Sequence, residues 1–279
     1  MSFMSEAGGI ERRAVIVSAT ELRELIRFDR TLVVVNVVRD NSEGGAGIIT
    51  APQSITLSIN DFQSSGGGTE GNRPLPDLDA FERTLNDLKV SADAHIVVYS
   101  SDSPLLAARA WFTLRWAGRS VRYLDGGSSA WASSRKPIST NDSMPVPPST
   151  ASTTLADAEG ALRAASAGRL LDARGSSSFR AGHIPGSISA PATDLLDDNG
   201  FLLPDRELRE YFHQFGIERG GTVVSYCGGG VAASHNALAL AAVGISSAVY
   251  VASWSGWSAD PERPVSTDIH HTPRNPDQR

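Results

Sequence analysis

The chain carries a single thiol, Cys227, followed by Gly228, Gly229, Gly230, Val231 and Ala232 and then by an Ala- and Leu-rich run. A lone cysteine is by default a small buried hydrophobe. Three consecutive glycines beside it point elsewhere, because in regular structure each costs about 0.5–1 kcal/mol relative to alanine. Without Cβ atoms the turn can curl until successive N–H groups face inward, forming an anion-holding nest around the sulfur. The helix opened by this loop adds its first-turn N–H groups and the positive end of its dipole. Such surroundings favour the thiolate, the form that attacks. The expected chemistry is therefore nucleophilic, with Cys227 as the attacking atom's owner and residues 228–232 as the cradle for an anionic substrate.

A loop of this kind needs a strand to end on and a helix to begin. The β-branched run 222–226 supplies the first and the helical run 231–243 the second. Around them the order is a buried-strand run at 169–172, the strand at 222–226, the helix, Gly244, a strand at 248–251 and an aromatic end at Trp257. The first half repeats it: a strand at 32–38, one at 95–99, an Ala/Leu/Trp-rich helix at 105–117, a strand at 121–124 and an end at Trp131. Strands alternating with helical periods indicate βαβ units. The fold class expected is α/β: two similar domains, each a mostly parallel sheet flanked by helices, with ligands taken at the carboxyl ends of the strands. Residues 135–153, rich in Pro, Ser and Thr, read as the linker. The boundaries are 1–140 for the first domain, 141–153 for the linker and 154–279 for the catalytic domain.

Three strings in the second half, YCGGGVAAS at the loop, DARGSSSFRAGHIPGS at 172–187 and YVASWSGW at 250–257, resemble the tandem-domain rhodanese superfamily. The resemblance implies a sulfurtransferase that takes sulfur from a small anionic donor onto Cys227, holds it as a persulfide and passes it to a thiophilic acceptor such as cyanide, a thiol or thioredoxin. It also implies that Arg174 and Arg180 bind the donor, since planar guanidinium forks suit carboxylate and sulfonate groups. Thiosulfate enzymes of the family place cations directly after the cysteine, whereas this loop has Gly228 and Gly229, so 3-mercaptopyruvate is the favoured donor. Mercaptopyruvate enzymes carry a serine where Gly229 stands here. A thiosulfate:cyanide sulfurtransferase and a noncatalytic sulfur-carrier module are the alternatives. In the first half, Ser100–Ser101–Asp102–Ser103–Pro104 occupies the place of the cysteine loop and lacks a strong nucleophile. A degenerate counterpart of GHIPGS lies around 47–54. Asp172 reads as an acceptor that fixes Arg174 or its loop, and His183 and His235 as structural.

Composition narrows the field further. A net charge of −6 over 279 residues offers no basic field for nucleic acid. One cysteine permits no intrachain disulfide or CxxC pair, and six histidines with 31 acidic residues show no HxxxH or DxDxDG spacing, so no metal or cofactor is expected. Cysteine-based phosphatases on related folds need an arginine six residues after the cysteine, where this chain has Ala233. Lacking an apolar signal core or a membrane-length run, the chain is expected in the cytoplasm, without membrane partners; its polar tail, 267–279, is expected to be disordered.

Overall fold

The computed structural model describes residues 3–39, 49–134 and 149–268. Most of the linker, Gly47 and Ile48 of the 47–54 segment and nearly all of the tail lie outside the described residues.

The first domain runs, in chain order, through α1 (Phe3–Val15), β1 (Ile16–Val17), α2 (Ala19–Phe28), β2 (Leu32–Val38), β3 (Ser54–Ser58), α3 (Leu78–Asp87), β4 (His95–Tyr99), α4 (Pro104–Trp116), β5 (Val121–Leu124) and α5 (Gly127–Ser133). The second comprises β6 (Thr153–Ala156), α6 (Ala158–Ser166), β7 (Leu170–Asp172), α7 (Ser176–Ala181), β8 (Ile188–Ser189), α8 (Asp205–His213), β9 (Val223–Tyr226), α9 (Val231–Ala242), β10 (Ser247–Tyr250) and α10 (Ser253–Trp257). Each sheet has five strands, in the orders β1-β5-β4-β2-β3 and β6-β10-β9-β7-β8. Every pairing within them is parallel. The two orders are the same order under a shift of five, as a duplicated unit requires.

Continuous apolar runs become the central strands because both faces of a parallel sheet are covered by helices. All seven residues of β2 are buried, as are all four of β9. Helices α4 and α9 pack against each other across the domain boundary. Each lies between its own sheet and the other helix, which accounts for uninterrupted burial from Leu106 to Leu114 and from Ala233 to Ala242. One apolar core thus includes Trp111 and Phe112 of the first domain with Leu238 and Leu240 of the second.

Small residues set the domain spacing elsewhere. An ideal Cβ on Gly71 would lie 2.3 Å from the Ala252 carbonyl oxygen, and one on Gly256 would lie 2.6 Å from that of Thr69, so the segment before α3 and helix α10 meet backbone to backbone. The N-terminal helix α1, which the sequence reading left unassigned, packs on α9. Its Arg12 bonds to Asp125 of the first domain and to Leu203 O and Asp205 of the second. No helix among the described residues is long and apolar enough to cross a membrane.

Candidate active site

Strand β9 ends at Tyr226, and the loop that follows delivers Cys227 to the start of α9. Tyr226 holds the neighbouring segment: its hydroxyl accepts the Ile184 N–H at 3.1 Å and bonds to Ser187 Oγ at 3.0 Å. Burial, then the Asp172 charge, raises the Tyr226 phenol above its ordinary range, so it stays neutral. Tyr99, the equivalent residue of the first domain, accepts the Ile49 N–H at 2.9 Å in the same manner. The tyrosine brace is present in both halves and the cysteine in one.

Cys227 is 3% exposed. Its sulfur accepts the N–H of Gly230 at 3.0 Å, and its own N–H donates to Ser253 Oγ at 3.1 Å. Gly230 caps α9 with φ +85°, a left-handed conformation that favours glycine. The sequence predicts a nest of several inward-facing amides around the sulfur. The structure puts it under the curl of the loop, and among the described residues one amide, that of Gly230, donates to it. The N–H groups of Gly228, Gly229, Val231 and Ala232 have no acceptor among the described residues, as expected at a helix start. Residues 227–232 therefore come together as one turn that opens α9. Further bonds fasten it to α10, from Trp254 N to Cys227 O at 2.8 Å and from Ser255 N to Gly228 O at 3.0 Å.

The two arginines expected at the donor differ in placement. Arg174 follows β7 and is clamped: Nε and Nη2 bond to Asp172 Oδ1 and Oδ2 at 2.9 and 2.6 Å, and Nη2 also bonds to Gly182 O at 2.7 Å. Its guanidinium carbon lies 4.6 Å from the centre of the Trp254 ring. Asp172 is fully buried, so this bidentate pair sits behind the loop and joins β7, the turn at Gly182 and α10. Arg180 is exposed on α7 and makes no hydrogen bond or ion pair among the described residues. His183 stacks on Phe179 at 3.8 Å, and its Nδ1 is 3.0 Å from the Phe179 carbonyl oxygen. His235 is buried in α9 with both ring nitrogens unpartnered, and burial holds its pKa down at about 4.

Two cations that the sequence reading missed do reach the loop, and both come from the first domain. The stem of Arg73 covers Gly229, its Cδ and Cγ lying 3.6 Å from an ideal Cβ there, while the residue as a whole is exposed. It is held in register by Asn72, whose N–H donates to Ser255 Oγ at 3.0 Å. Arg109 of α4 is completely buried and lies against Gly230. A lone arginine inside the apolar run of α4 is the sequence signal that was available for it; Arg73 offers none, because only the docking of the domains brings it near.

The first domain's own loop is filled by itself. Ser100 Oγ accepts the N–H groups of Asp102 and Ser103 at 3.0 and 3.1 Å, and Asp102 Oδ2 accepts the Arg39 N–H at 2.8 Å. A serine oxygen thus occupies the amides that an anion would use.

The model of the rhodanese-like domain matches residues 18–134 and again 154–260. This chain is a tandem rhodanese-family sulfurtransferase. Among its relatives is SseB of Mycobacterium tuberculosis, assigned as a thiosulfate sulfurtransferase, which is 34% identical over 279 aligned positions spanning 91% of this chain and 97% of that protein. A Pseudomonas aeruginosa protein assigned as a 3-mercaptopyruvate sulfurtransferase is 36% identical over 223 positions, covering 72% of this sulfurtransferase and 77% of the relative. The crystal structure of SseA from Escherichia coli, described as a 3-mercaptopyruvate enzyme with the rhodanese fold, superposes with a TM-score of 0.65 at 24% identity, over 86% of this chain and 98% of that one. The last agreement concerns the fold.

Proposed function

We propose that this sulfurtransferase moves a sulfur atom from a small anionic donor to a thiophilic acceptor through a persulfide on Cys227, with 3-mercaptopyruvate the favoured donor. The observation that carries the reading is the Gly230 N–H directed at Cys227 Sγ within a turn whose other amides have no acceptor among the described residues. Fixed donors of this kind stabilise the thiolate before transfer and the persulfide anion after it. The Cys227 thiolate attacks the donor sulfur, an S–S bond forms and the donor's bond to that sulfur breaks. With mercaptopyruvate the electron pair leaves on the pyruvate enolate, which takes a proton; with thiosulfate it leaves on sulfite. The acceptor, whether cyanide, a small thiol or a thioredoxin-like protein of a reducing compartment such as the cytoplasm, then removes the outer sulfur and restores the thiolate.

Arg73 is the donor's cation in this reading. Its stem lies over Gly229, whereas the Arg174 fork is engaged by Asp172. Arg174 is accordingly proposed as the brace of the loop. Thiosulfate is the second reading, favoured by the same Arg73, because an exposed cation over the loop can meet a dianion that Gly228 and Gly229 cannot.

Mass spectrometry after incubation with each donor tests the reading, with a gain of about 32 Da expected on Cys227, one sulfur atom on the oxidation ladder of the thiol, and none on Cys227→Ser. Comparison of kcat/KM for the two donors then assigns the preference. Sulfur arriving from neither donor, but from a partner protein, would replace the enzyme with a carrier.

A further inference from the structure

We propose that Arg109, contributed by the domain without a cysteine, is the buried counter-charge of the Cys227 sulfur anion and a positioning residue for the loop that holds it. Arg109 has no exposed surface. Its Nε donates to Phe62 O at 3.4 Å, and its Nη2 donates to Arg73 O at 3.0 Å and to Pro74 O at 3.4 Å. Those bonds tie down the segment that carries Arg73. They leave Nη1, which is buried and has no hydrogen-bond partner. This atom occupies the space beside Gly230, 2.8 Å from where an ideal Cβ would stand, and Gly230 is the residue whose N–H holds the sulfur.

A purely structural arginine accounts for Nε and Nη2 and leaves the charge unexplained. Among the described residues no carboxylate forms an ion pair with Arg109. Burying an uncompensated cation costs several kcal/mol, and a guanidinium cannot escape by releasing its proton near neutral pH. Burial does pull Arg109 down to about 10, the Cys227 charge pulls it back up, and Arg73 pushes it down. The compensating anion in this assignment is the Cys227 sulfur, held by the Gly230 N–H beside Nη1. A buried pair of this kind is little screened by salt, and it persists through the cycle because thiolate and persulfide are both anions. The second domain's loop is complete only when the first domain's α4 is docked against it.

The charged and titratable groups around Cys227 are Arg109 from α4, exposed Arg73 from the segment before α3, neutral Tyr226 on β9, and Arg174 paired with Asp172 behind Tyr226 and Trp254. The test is the rate of Cys227 alkylation by iodoacetamide across pH in the full chain, for wild type, Arg109→Gln, Arg109→Lys and Arg73→Gln. Arg109→Gln is expected to move the midpoint up by about one unit and to slow alkylation at pH 7 about tenfold, with the rate restored at high pH. Arg109→Lys keeps most of the reactivity, and the smaller effect of Arg73→Gln disappears at high salt. A brace without electrostatic effect would lower the melting temperature and leave the midpoint where it was, which would overturn the proposal.

Where Arg109→Gln does not fold, the wild-type protein answers by NMR. The Arg109 Nε–H resonance, shielded from exchange, is expected to shift through the thiol's midpoint and to stay flat in Cys227→Ser; a flat trace in wild type sinks the idea. The proposal builds on the sulfur-transfer reading for its consequence, and the two fail separately. Sulfur loading reports the transfer, while alkylation and NMR report the charge pair whether or not a donor loads the enzyme.

Discussion

Ser253 accepts the Cys227 N–H at 3.1 Å while donating its own hydroxyl to the Tyr250 carbonyl at 2.8 Å. The end of β10 thereby fixes the backbone at Cys227, although 26 residues separate the two positions in sequence. Ser253 is fully buried and has φ +53°, a conformation that costs a non-glycine residue about 1–2 kcal/mol. The strain is retained because the hydroxyl has no substitute there.

Ser253→Ala and Ser253→Gly separate the two effects. The alanine variant keeps the strain and leaves a buried N–H without an acceptor, so a loss of about 1–3 kcal/mol in urea unfolding is expected. The glycine variant also loses the hydroxyl but relieves the backbone, and its loss should be smaller by about 1 kcal/mol. Both should lower kcat, because the sulfur is no longer held in place. Equal stabilities for the two variants would show that the torsion carries no strain.

The Asp172–Arg174 pair predicts a stability phenotype. Arg174→Ala abandons a fully buried carboxylate, which is expected to cost about 3–5 kcal/mol. The double variant Asp172→Asn/Arg174→Gln should recover part of that loss, since it removes both charges together. A change in donor KM from Arg174→Ala at unaltered stability would return Arg174 to the donor site. Arg73→Ala shows the reverse pattern: an unchanged unfolding curve and a raised KM whose size falls with salt.

Gly229→Ser should be tolerated by the fold. The atoms nearest an ideal Cβ at Gly229 belong to the Arg73 stem, at ordinary contact distance, and its backbone is not left-handed. If the loop serine supplies the proton handling that the family resemblance implies, kcat with 3-mercaptopyruvate rises on the order of a hundredfold, the low end of what a positioned proton donor contributes. Turnover of thiosulfate, whose sulfite product needs no proton, stays level. Equal changes for both donors would count against the serine's role.

His235 makes the protein acid-sensitive. Its pKa falls from 6.5 to about 4 on folding because burial penalises the imidazolium, so between those values the unfolded chain binds the extra proton. The stabilisation relative to that charged unfolded state is present only at the top of the window; stability rises with pH through it and falls as the pH drops from about 6.5 toward 4, by about 3 kcal/mol in all. His235→Leu should flatten that part of the stability–pH profile. An unchanged slope would mean that water or a partner reaches the ring.

Much of this molecule could be read from local chemistry. Strand runs such as 32–38 and 95–99 emerged with the bounds expected of them, since parallel strands buried on both faces must be continuously apolar. The repeat was visible as a repeated order of elements. The three glycines after Cys227 announced the turn, because only the absence of Cβ atoms permits it at Gly230. Each of these signals depends on residues within one turn or strand of each other. What only the tertiary structure decided is which cations reach the loop that holds the sulfur. Arg174 was expected at the donor, and its fork is instead engaged by Asp172, the acceptor the sequence offered for Arg174 or its loop. Arg73 and Arg109 lie more than a hundred residues from Cys227 and reach its loop because α4 packs on α9 and Gly71 lets the backbones close. Local pattern encodes the cysteine and its turn; the cations beside that turn are brought there by the docking of two domains, which no local pattern records.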